Sequence, residues 1–382
     1  MFTPWRNLSY ELKQATAFGK LPKEVREVVF YSEGQGYWPH IEPVIRALWA
    51  EHQQPVTYLT SRLDDPVLTK PPEGLHSLYV GEGTVRTITL AVLKARLVVM
   101  TMPDLQTFHI KRSAGVNHYA YIHHSIVSSH MVYRPAAFDH FDSVFCVGPH
   151  HIRETRAREA LLGLRPKELV EHGYGRLDTL MEQYGFYAGG SGPLREPAHV
   201  LLAPSWGPHA LIERHGAACV TPLLEAGHHV TLRPHPQTRK IYPTCLEAIR
   251  TQCVGHPRFE LELDVASQRS LLDSDLMVSD WSGAALEFAF SRLKPVLFVD
   301  VPRKINNPDY ESLKIEPLEV SIREQIGLII PETELQQLGE QACAALGQVG
   351  VAPIRIARDR SVFNIGGSGS VAAAELMRIL HQ

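Results

Sequence analysis

The sequence predicts an α/β protein made of two similar halves, each with a parallel β-sheet. Short β-branched and aromatic runs alternate with segments long enough for a crossover helix, which is typical of βαβ units. The alternation stops at Gly-Gly-Ser-Gly-Pro, residues 189–193, and resumes after it, so we expect a linker there. The 382 residues also give room for two domains of ordinary size. Two such halves favour ligand binding in a cleft between them.

The first half opens with the signals of a βαβ unit. A strand-type run at 28–31 leads into a glycine turn that includes Gly36 and then into a helical pattern over 39–49. This turn lacks the third glycine of a dinucleotide fingerprint, so a nicotinamide cofactor is not expected. The remaining strand-type runs of this half lie at 56–59, 77–80, 97–100, 118–122 and 143–147.

The second half repeats the alternation. Its strand-type runs lie at 199–202, 229–232, 275–278 and 295–299, with helical patterns at 210–226 and 283–290 and a last helix at 371–380 after a glycine-rich turn. We therefore expect four parts. They are an N-terminal amphipathic segment at 1–24, a Rossmann-like domain at 25–188, a second at 194–360, and a terminal turn and helix at 361–382.

The composition narrows the functional class. Lys and Arg number 38 against 41 Asp and Glu, a balance that argues against a nucleic-acid binder, which needs a basic field. Five scattered cysteines without a CxxC pair indicate reduced thiols, and neither a disulfide frame nor a zinc site. The first residues lack a signal-peptide core, and no apolar run reaches the ~20 residues of a spanning helix. A cytoplasmic protein is expected.

The N-terminal segment carries an apolar stripe. Apolar residues recur at three- and four-residue steps at positions 2, 5, 8, 12 and 15. Such a helix either docks on the protein's own surface or lies at a membrane interface as a peripheral anchor.

Two motifs that follow strands are suited to phosphate. Arg-Pro-His-Pro at 233–236 presents Arg233 and His235 where the chain leaves the sheet, between two prolines that fix the backbone. Arg233 offers a planar fork for phosphate oxygens, and His235 donates to phosphate or titrates near neutrality. Ser-Asp-Trp-Ser-Gly at 279–283 leads from a strand into a helix, whose N-terminal N–H groups form an anion site. Ser282 either caps that helix or binds the anion.

A histidine-rich sequence follows the run at 118–122. His123, His124 and His130 are candidates for a general base acting on an acceptor hydroxyl, and a structural role is the alternative. The set lacks acidic partners at regular spacing, so no metal site is expected.

Five sequences occur in a fixed order within residues 95–380: Tyr-Ile-His-His-Ser at 121–125, Gly-Tyr-Gly-Arg-Leu-Asp at 173–178, Leu-Ala-Pro-Ser-Trp at 202–206, and the two phosphate motifs. Phe-Asn-Ile-Gly-Gly at 363–367 also fits this series. Together they resemble the CDP-glycerol glycerophosphotransferase family, which polymerises or primes teichoic-acid-like polymers. The resemblance implies the GT-B architecture, with two Rossmann-like domains facing across a cleft.

The resemblance also implies an activity. It is the metal-independent transfer of a polyol phosphate, with glycerol phosphate preferred, from a CDP-activated donor to an acceptor hydroxyl, releasing CMP. No cofactor is implied. The acceptor would be a lipid-linked or oligosaccharide component of a teichoic-acid-like or capsular polymer, made at the inner face of the cytoplasmic membrane.

The resemblance assigns roles residue by residue. His124 would be the general base, while His235 and Arg233 would neutralise the pyrophosphate. Further donor-binding residues would be Ser205, Ser279, Asp280, Ser282, Gly283 and Glu287. His123 stands where the family has tryptophan, and the sequence at 106–109 superficially matches the same signature, which makes His109 a runner-up. Gly36 is a further candidate.

Three alternatives remain open. A glycosyltransferase of the same architecture would hold a sugar nucleotide in nearly the same place, a sugar-nucleotide 2-epimerase has similar domains without an acceptor, and a degenerate module would only bind nucleotide. The 20 histidines further suggest pH sensitivity in the neutral range.

Overall fold

The computed structural model describes residues 4–107, 110–185, 196–264 and 268–382. The chain divides into two compact units: unit 1 comprises residues 1–124, 133–179 and 362–382, and unit 2 comprises residues 125–132 and 180–361. The N-terminal segment and the last helix, expected as separate parts, both belong to unit 1. The expected linker at 189–193 lies outside the described residues.

Unit 1 is built on a parallel sheet with the strand order β3-β2-β1-β4-β5-β6-β7 in the described residues. The chain reverses its direction of winding between β1 and β4, which makes their carboxyl ends the switch point of this sheet. The strands are β1 Val28–Ser32, β2 Val56–Thr60, β3 Leu75–Tyr79, β4 Ala95–Met100, β5 Val116–Ile122, β6 Ser143–Cys146 and β7 Glu168–Glu171.

Unit 2 repeats this winding. Its parallel sheet has the order β10-β9-β8-β11-β12-β13 over the described residues, with the switch point between β8 and β11. The strands are β8 His199–Leu202, β9 His229–Leu232, β10 Phe259–Leu261, β11 Leu276–Ser279, β12 Val296–Asp300 and β13 Gly327–Pro331. Two parallel α/β units therefore confirm the predicted fold class.

The helices that the structure describes, in chain order, are α1 Pro4–Phe18, α2 Lys23–Glu27, α3 Trp38–His52, α4 Thr84–Ala91, α5 Ser129–Val132, α6 Pro149–Leu162, α7 Gly175–Gln183, α8 Leu211–His215, α9 Thr221–Glu225, α10 Pro236–Ile241, α11 Pro243–Cys253, α12 Arg269–Asp273, α13 Gly283–Arg292, α14 Leu318–Ser321, α15 Arg323–Ile326, α16 Leu338–Gln348, α17 Val351–Ser361 and α18 Ser368–Leu380. Among these, none has the length and hydropathy needed to cross a bilayer.

The helix expected at 210–226 is interrupted. The structure divides it into α8, a 3₁₀ turn at Gly216–Cys219, and α9. Gly216 ends α8 with a φ of 55°, in the left-handed region that glycine tolerates, and Pro222 opens α9. The apolar periodicity is real, but backbone geometry at these two residues breaks the hydrogen-bond ladder.

The last helix completes the core of unit 1. Helix α18 packs along α3, and its buried Ala372, Ala373 and Leu376 join the apolar cluster that covers one face of the sheet. Asp178 caps it by accepting hydrogen bonds from Gly366 N at 2.7 Å and from Ser368 N at 2.9 Å. The Gly-Tyr-Gly-Arg-Leu-Asp sequence therefore contributes to the packing of unit 1.

Candidate active site

The carboxyl ends of β8 and β11 in unit 2 are tied together by a buried aspartate. Asp280 is 1% exposed, and its Oδ1 accepts a hydrogen bond from Ser205 N at 2.6 Å. Its Oδ2 accepts one from Leu211 N at 3.0 Å. Both carboxylate oxygens are thus used to hold the loop at 203–210 against β11, at the switch point of the sheet.

Two of the residues expected to bind the donor have partners inside the protein. Ser279 is fully buried, and its hydroxyl donates to Ala203 O at 2.8 Å. The side chains of Ser279 and Asp280 therefore hold the loop at 203–210 in place. Ser205 is also buried, with its backbone N–H bound to Asp280.

A three-residue stack lies where β8, β9 and β12 end. The ring of Trp206 stacks on His235, with centroids 5.8 Å apart and an interplanar angle of 28°. The Lys304 ammonium lies 4.2 Å from the centroid of the Trp206 ring, a cation–π distance. All three side chains are partly exposed. We call Trp206, His235 and Lys304 the aromatic–cation shelf.

The hydrogen bonding of His235 sets its chemistry. His235 caps α10, since its Nδ1 accepts a hydrogen bond from Gln237 N at 3.1 Å. The neutral ring must then carry its proton on Nε2. Burial, and secondarily Lys304, lower the pKa of His235 to about 4. His235 is therefore a neutral N–H donor at physiological pH, and does not titrate near neutrality as its ordinary pKa suggested.

Two acidic side chains act on the lysine of the shelf. Burial lowers the pKa of Lys304 to about 8, and the charges of Asp280 and Glu213 oppose this shift. Glu213 accepts a hydrogen bond from Thr238 Oγ1 at 2.6 Å, and burial raises the pKa of its carboxyl group. Lys304 remains mainly protonated at neutral pH.

The helix expected to bind an anion begins as predicted. Ser282 caps α13, its hydroxyl accepting a hydrogen bond from Ala284 N at 3.3 Å, and Gly283 is the first helical residue. Of the two uses considered for Ser282, the structure shows the cap. Glu287 is buried one turn further along α13.

The arginine of the Arg-Pro-His-Pro motif is engaged with a carboxylate. Arg233 Nη1 lies 3.8 Å from Glu262 Oε2 and 3.4 Å from Ser270 Oγ, and only 12% of the Arg233 side chain is exposed. Arg233 therefore contributes less free positive charge to the end of the sheet than its sequence position suggested.

His124 lies at the switch point of unit 1. Its Nδ1 is 2.7 Å from Thr101 O, which follows β4 and can only accept, so Nδ1 carries the proton. Its Nε2 is then an acceptor, 3.3 Å from the hydroxyl of Tyr133. Burial lowers the pKa of His124 to about 4, and the hydrogen bond to Thr101 opposes that shift. A neutral imidazole with an unprotonated Nε2 is the form that a general base requires.

The other histidines of the predicted cluster are placed differently. His123 is 2% exposed and stacks on His151, with ring centroids 3.7 Å apart. His130 belongs to unit 2, where its Nε2 lies 3.1 Å from Ile315 O. In the described part of the chain, no three His, Cys, Asp or Glu side chains are arranged to hold a metal ion.

Two minor candidates complete the set. Gly36 is exposed in the 3₁₀ turn Gln35–Tyr37. His109 lies outside the described residues.

Sequence reasoning missed two members of the shelf. Trp206 lies in a quoted sequence but received no role, and Lys304 received none at all. Both follow a predicted strand by four or five residues, the same positional signal that selected His235. Both would be found by considering every polar or aromatic residue shortly after a predicted strand, whether or not it belongs to a motif.

The comparisons with known proteins identify the architecture. The chain is similar to the structure of a putative UDP-N-acetylglucosamine 2-epimerase from Listeria monocytogenes, with 16% identity, a TM-score of 0.58, and coverage of 93% of this chain and 96% of that one. A UDP-GlcNAc 2-epimerase from Neisseria meningitidis bound to UDP-GlcNAc gives 14% identity, a TM-score of 0.58 and coverage of 92% and 99%. A UDP-glucose: anthocyanidin 3-O-glucosyltransferase in complex with UDP gives 8% identity, a TM-score of 0.54, and coverage of 94% of this chain and 99% of that one.

The chain has a GT-B-like fold. At these identities the similarity establishes the fold alone. No protein-family profile matches the chain, and no curated protein matches it in sequence.

Proposed function

We propose that the protein is an enzyme that binds a nucleoside-diphosphate-activated donor in unit 2. The observation that carries this proposal is the convergence of Trp206, His235 and Lys304 at the carboxyl ends of β8, β9 and β12, beside the N-terminus of α13. Open parallel sheets bind ligands at this edge, and N–H donors together with an ammonium suit phosphate oxygens.

The donor we favour is a CDP-activated polyol, and the group transferred is its polyol phosphate. The ordered sequences that resemble CDP-glycerol glycerophosphotransferases support this choice. In that reaction the acceptor hydroxyl attacks the phosphorus that bears the polyol, a new P–O bond forms, and the P–O bond to CMP breaks. The resemblance assigns the proton of the attacking hydroxyl to Nε2 of His124. Within unit 2, the shelf stabilises the charge on the departing CMP.

A sugar nucleotide is the second candidate donor. The observation that favours it is the similarity in fold to proteins described as UDP-GlcNAc 2-epimerases and a glucosyltransferase. A nucleotide diphosphate would occupy unit 2 in either case, so the shelf does not discriminate between the two donors. The two reactions differ in the general base and in the polyol or sugar group of the donor that the protein recognises.

Calorimetric titration with EDTA present tests both candidates. The full chain is titrated with CDP-glycerol, CDP-ribitol, CMP and UDP-GlcNAc, together with His235→Ala and the control His209→Ala, an exposed histidine of the neighbouring loop. We expect one CDP-polyol to bind best, with affinity lost in His235→Ala and kept in His209→Ala. Preference for UDP-GlcNAc would favour a sugar nucleotide as the donor in place of a CDP-polyol. If no nucleotide binds, the proposal is rejected.

We further propose that the acceptor is lipid-linked and that unit 1 contacts the membrane that carries it. A cavity of about 340 Å³ lies between α1 and α4, lined by Leu12, Phe18, Ile88 and Val92 among others. The charged side chains that line it, Arg26 and Lys94, are both cationic, which suits an anionic lipid surface.

Vesicle flotation tests this contact. We expect the protein to float with phosphatidylglycerol vesicles and not with phosphatidylcholine vesicles, and Ile88→Glu to abolish flotation. Leu161→Glu is the matched control, because Leu161 on α6 is 54% exposed and Ile88 is 56% exposed. Equal flotation of the two variants would contradict membrane contact through α1 and α4.

A further inference from the structure

Lys304 is a partly buried cation without a close carboxylate. Over the described residues, no Asp or Glu oxygen lies within 4.0 Å of its Nζ, which is 4.2 Å from the centroid of the Trp206 ring. The ionisable groups that act on it are Asp280 after β11, Glu213 on α8 and His235 before α10. An ammonium that has lost part of its hydration and has no partner ion is held at a free-energy cost.

Two largely buried arginines near this edge of the sheet are already engaged, whereas Arg303 is exposed and lies 5.8 Å from the centroid of the Trp281 ring. Arg233 faces Glu262. Arg323 is 3% exposed, pairs with Asp300 at 2.8 Å, and lies against the rings of Trp281 and Phe298. His235 is neutral because of its hydrogen bond to Gln237 and its burial. Among the partly or largely buried groups, Lys304 is therefore the cation available to an incoming anion.

We propose that Lys304 binds the diphosphate of the nucleotide donor, and that Trp206 positions the ammonium for it. This inference rests on the proposed function and assigns its phosphate-binding cation. The Trp206 face holds the ammonium at the mouth of the loop at 203–210, and the stacked His235 presents its Nε2–H beside it. The phosphate oxygens thus meet one charged donor and one neutral donor, both in contact with the indole ring of Trp206.

The proposal predicts how donor binding depends on pH. The pKa of Lys304 is about 8 in the free protein, so the charged form predominates below pH 8 and is lost as the pH rises through it. A bound phosphate favours the ammonium and raises that pKa. Binding near pH 8–9 should therefore take up a proton. His235, neutral across this range, adds no pH dependence of its own.

Calorimetry of the full chain with CDP, UDP and the corresponding nucleosides tests the assignment. At pH 7, we expect Lys304→Met to weaken binding of the preferred diphosphate by about 10- to 100-fold, and Lys304→Arg to restore much of it. Wild type should weaken at pH 9.5, whereas Lys304→Arg should not. Lys240→Met, at an exposed lysine of α10, is the control. Nucleoside affinity should not change in any variant.

The outcomes separate this inference from the proposed function. If wild type binds the diphosphate and Lys304→Met binds it equally well, Lys304 is not the ligand and the donor site stands. If Lys240→Met loses as much as Lys304→Met, the effect is a general one of charge and the inference fails. If wild type binds no nucleotide, both fail. Should Lys304→Met unfold, the pH dependence of Lys304→Arg against wild type decides the question.

Discussion

At the scale of single residues, the two ring nitrogens of His124 have different partners. Thr101 O fixes the proton on Nδ1, and Nε2 keeps its lone pair. We expect His124→Gln to lower the rate of CMP release by about 10²- to 10⁴-fold, the usual contribution of a general base, with donor affinity unchanged. Single-turnover assays and calorimetry on the same preparation measure the two quantities.

The control for this variant is Tyr133→Phe. It removes the hydroxyl 3.3 Å from Nε2 and leaves the base in place, so its rate should stay within about tenfold of wild type. With the pKa of His124 at about 4, kcat/KM should be level from pH 7 to 5 and fall below that. An unchanged rate in His124→Gln would remove this residue from the mechanism.

Asp280 is predicted to matter for folding through the loop it braces. Asp280→Ala leaves Ser205 N and Leu211 N without their acceptor inside the protein, which should cost about 2–4 kcal/mol of unfolding free energy. Urea unfolding at pH 7 measures this. Asp309→Ala, at an exposed aspartate of the same unit, should change stability by less than about 0.5 kcal/mol. Equal stabilities for the two variants would contradict the bracing role.

At the scale of elements, the sequence predicted the central strands and missed three edges. Strands β7, β10 and β13 were not expected, and each lies at the edge of its sheet. The central β1 and β2 are buried along their whole length, whereas β10 has no fully buried residue. An edge strand covers less apolar surface, so its sequence does not need the continuous apolar run by which buried parallel strands are recognised.

The candidate site was predictable where a motif and a strand end coincide. His235 and Ser282 follow strands inside conspicuous motifs, and the structure places both at the carboxyl edge of the unit 2 sheet. The internal roles of Ser279 and Asp280 could not be predicted, because their partners, Ala203 and the backbone N–H groups of the neighbouring loop, lie some 70 residues away in the chain. The role of Lys304 likewise depends on its contact with Trp206, and the two residues lie in different parts of the sequence that no motif connects.

The contact between α3 and α18 gives a prediction at this same scale. A Cβ on Gly369 would lie 2.7 Å from Pro43 O, too close for a rigid backbone neighbour. Gly369→Ala should therefore destabilise the protein by about 1–3 kcal/mol. Gly367→Ala is the control, because its Cβ would meet Asn364 O at 3.7 Å, an ordinary contact. Thermal and urea unfolding compare them, and a neutral Gly369→Ala would mean that α18 can shift.

At the scale of the whole molecule, buried histidines make stability depend on pH below neutrality. Burial lowers the pKa of His172 to about 3 and that of His124 to about 4, from 6.5. The stabilisation is therefore complete above pH 6.5 and is lost as the pH falls toward the folded-state values. The neutral-range sensitivity expected from the histidine count is thus shifted to acid pH.

The measurement is urea unfolding at pH 7.5 and pH 5. Below pH 6 each such histidine should add a slope of about 1.4 kcal/mol per pH unit, and His172→Phe should remove one of these increments. His256→Phe, at an exposed position, should leave the slope as in wild type. If wild type is equally stable at the two pH values, the buried rings are not held neutral.

The discontinuity of unit 1 has a consequence for synthesis of the chain. Its apolar core includes Ala372, Leu376 and Leu380 of α18, and Asp178 accepts hydrogen bonds from the N–H groups of Gly366 and Ser368. On a ribosome these residues emerge after the whole of unit 2. Synthesis of unit 1 begins first, but unit 2 can reach its native state earlier. Until α18 emerges, the nascent unit 1 exposes to chaperones the surface of α3 that α18 covers.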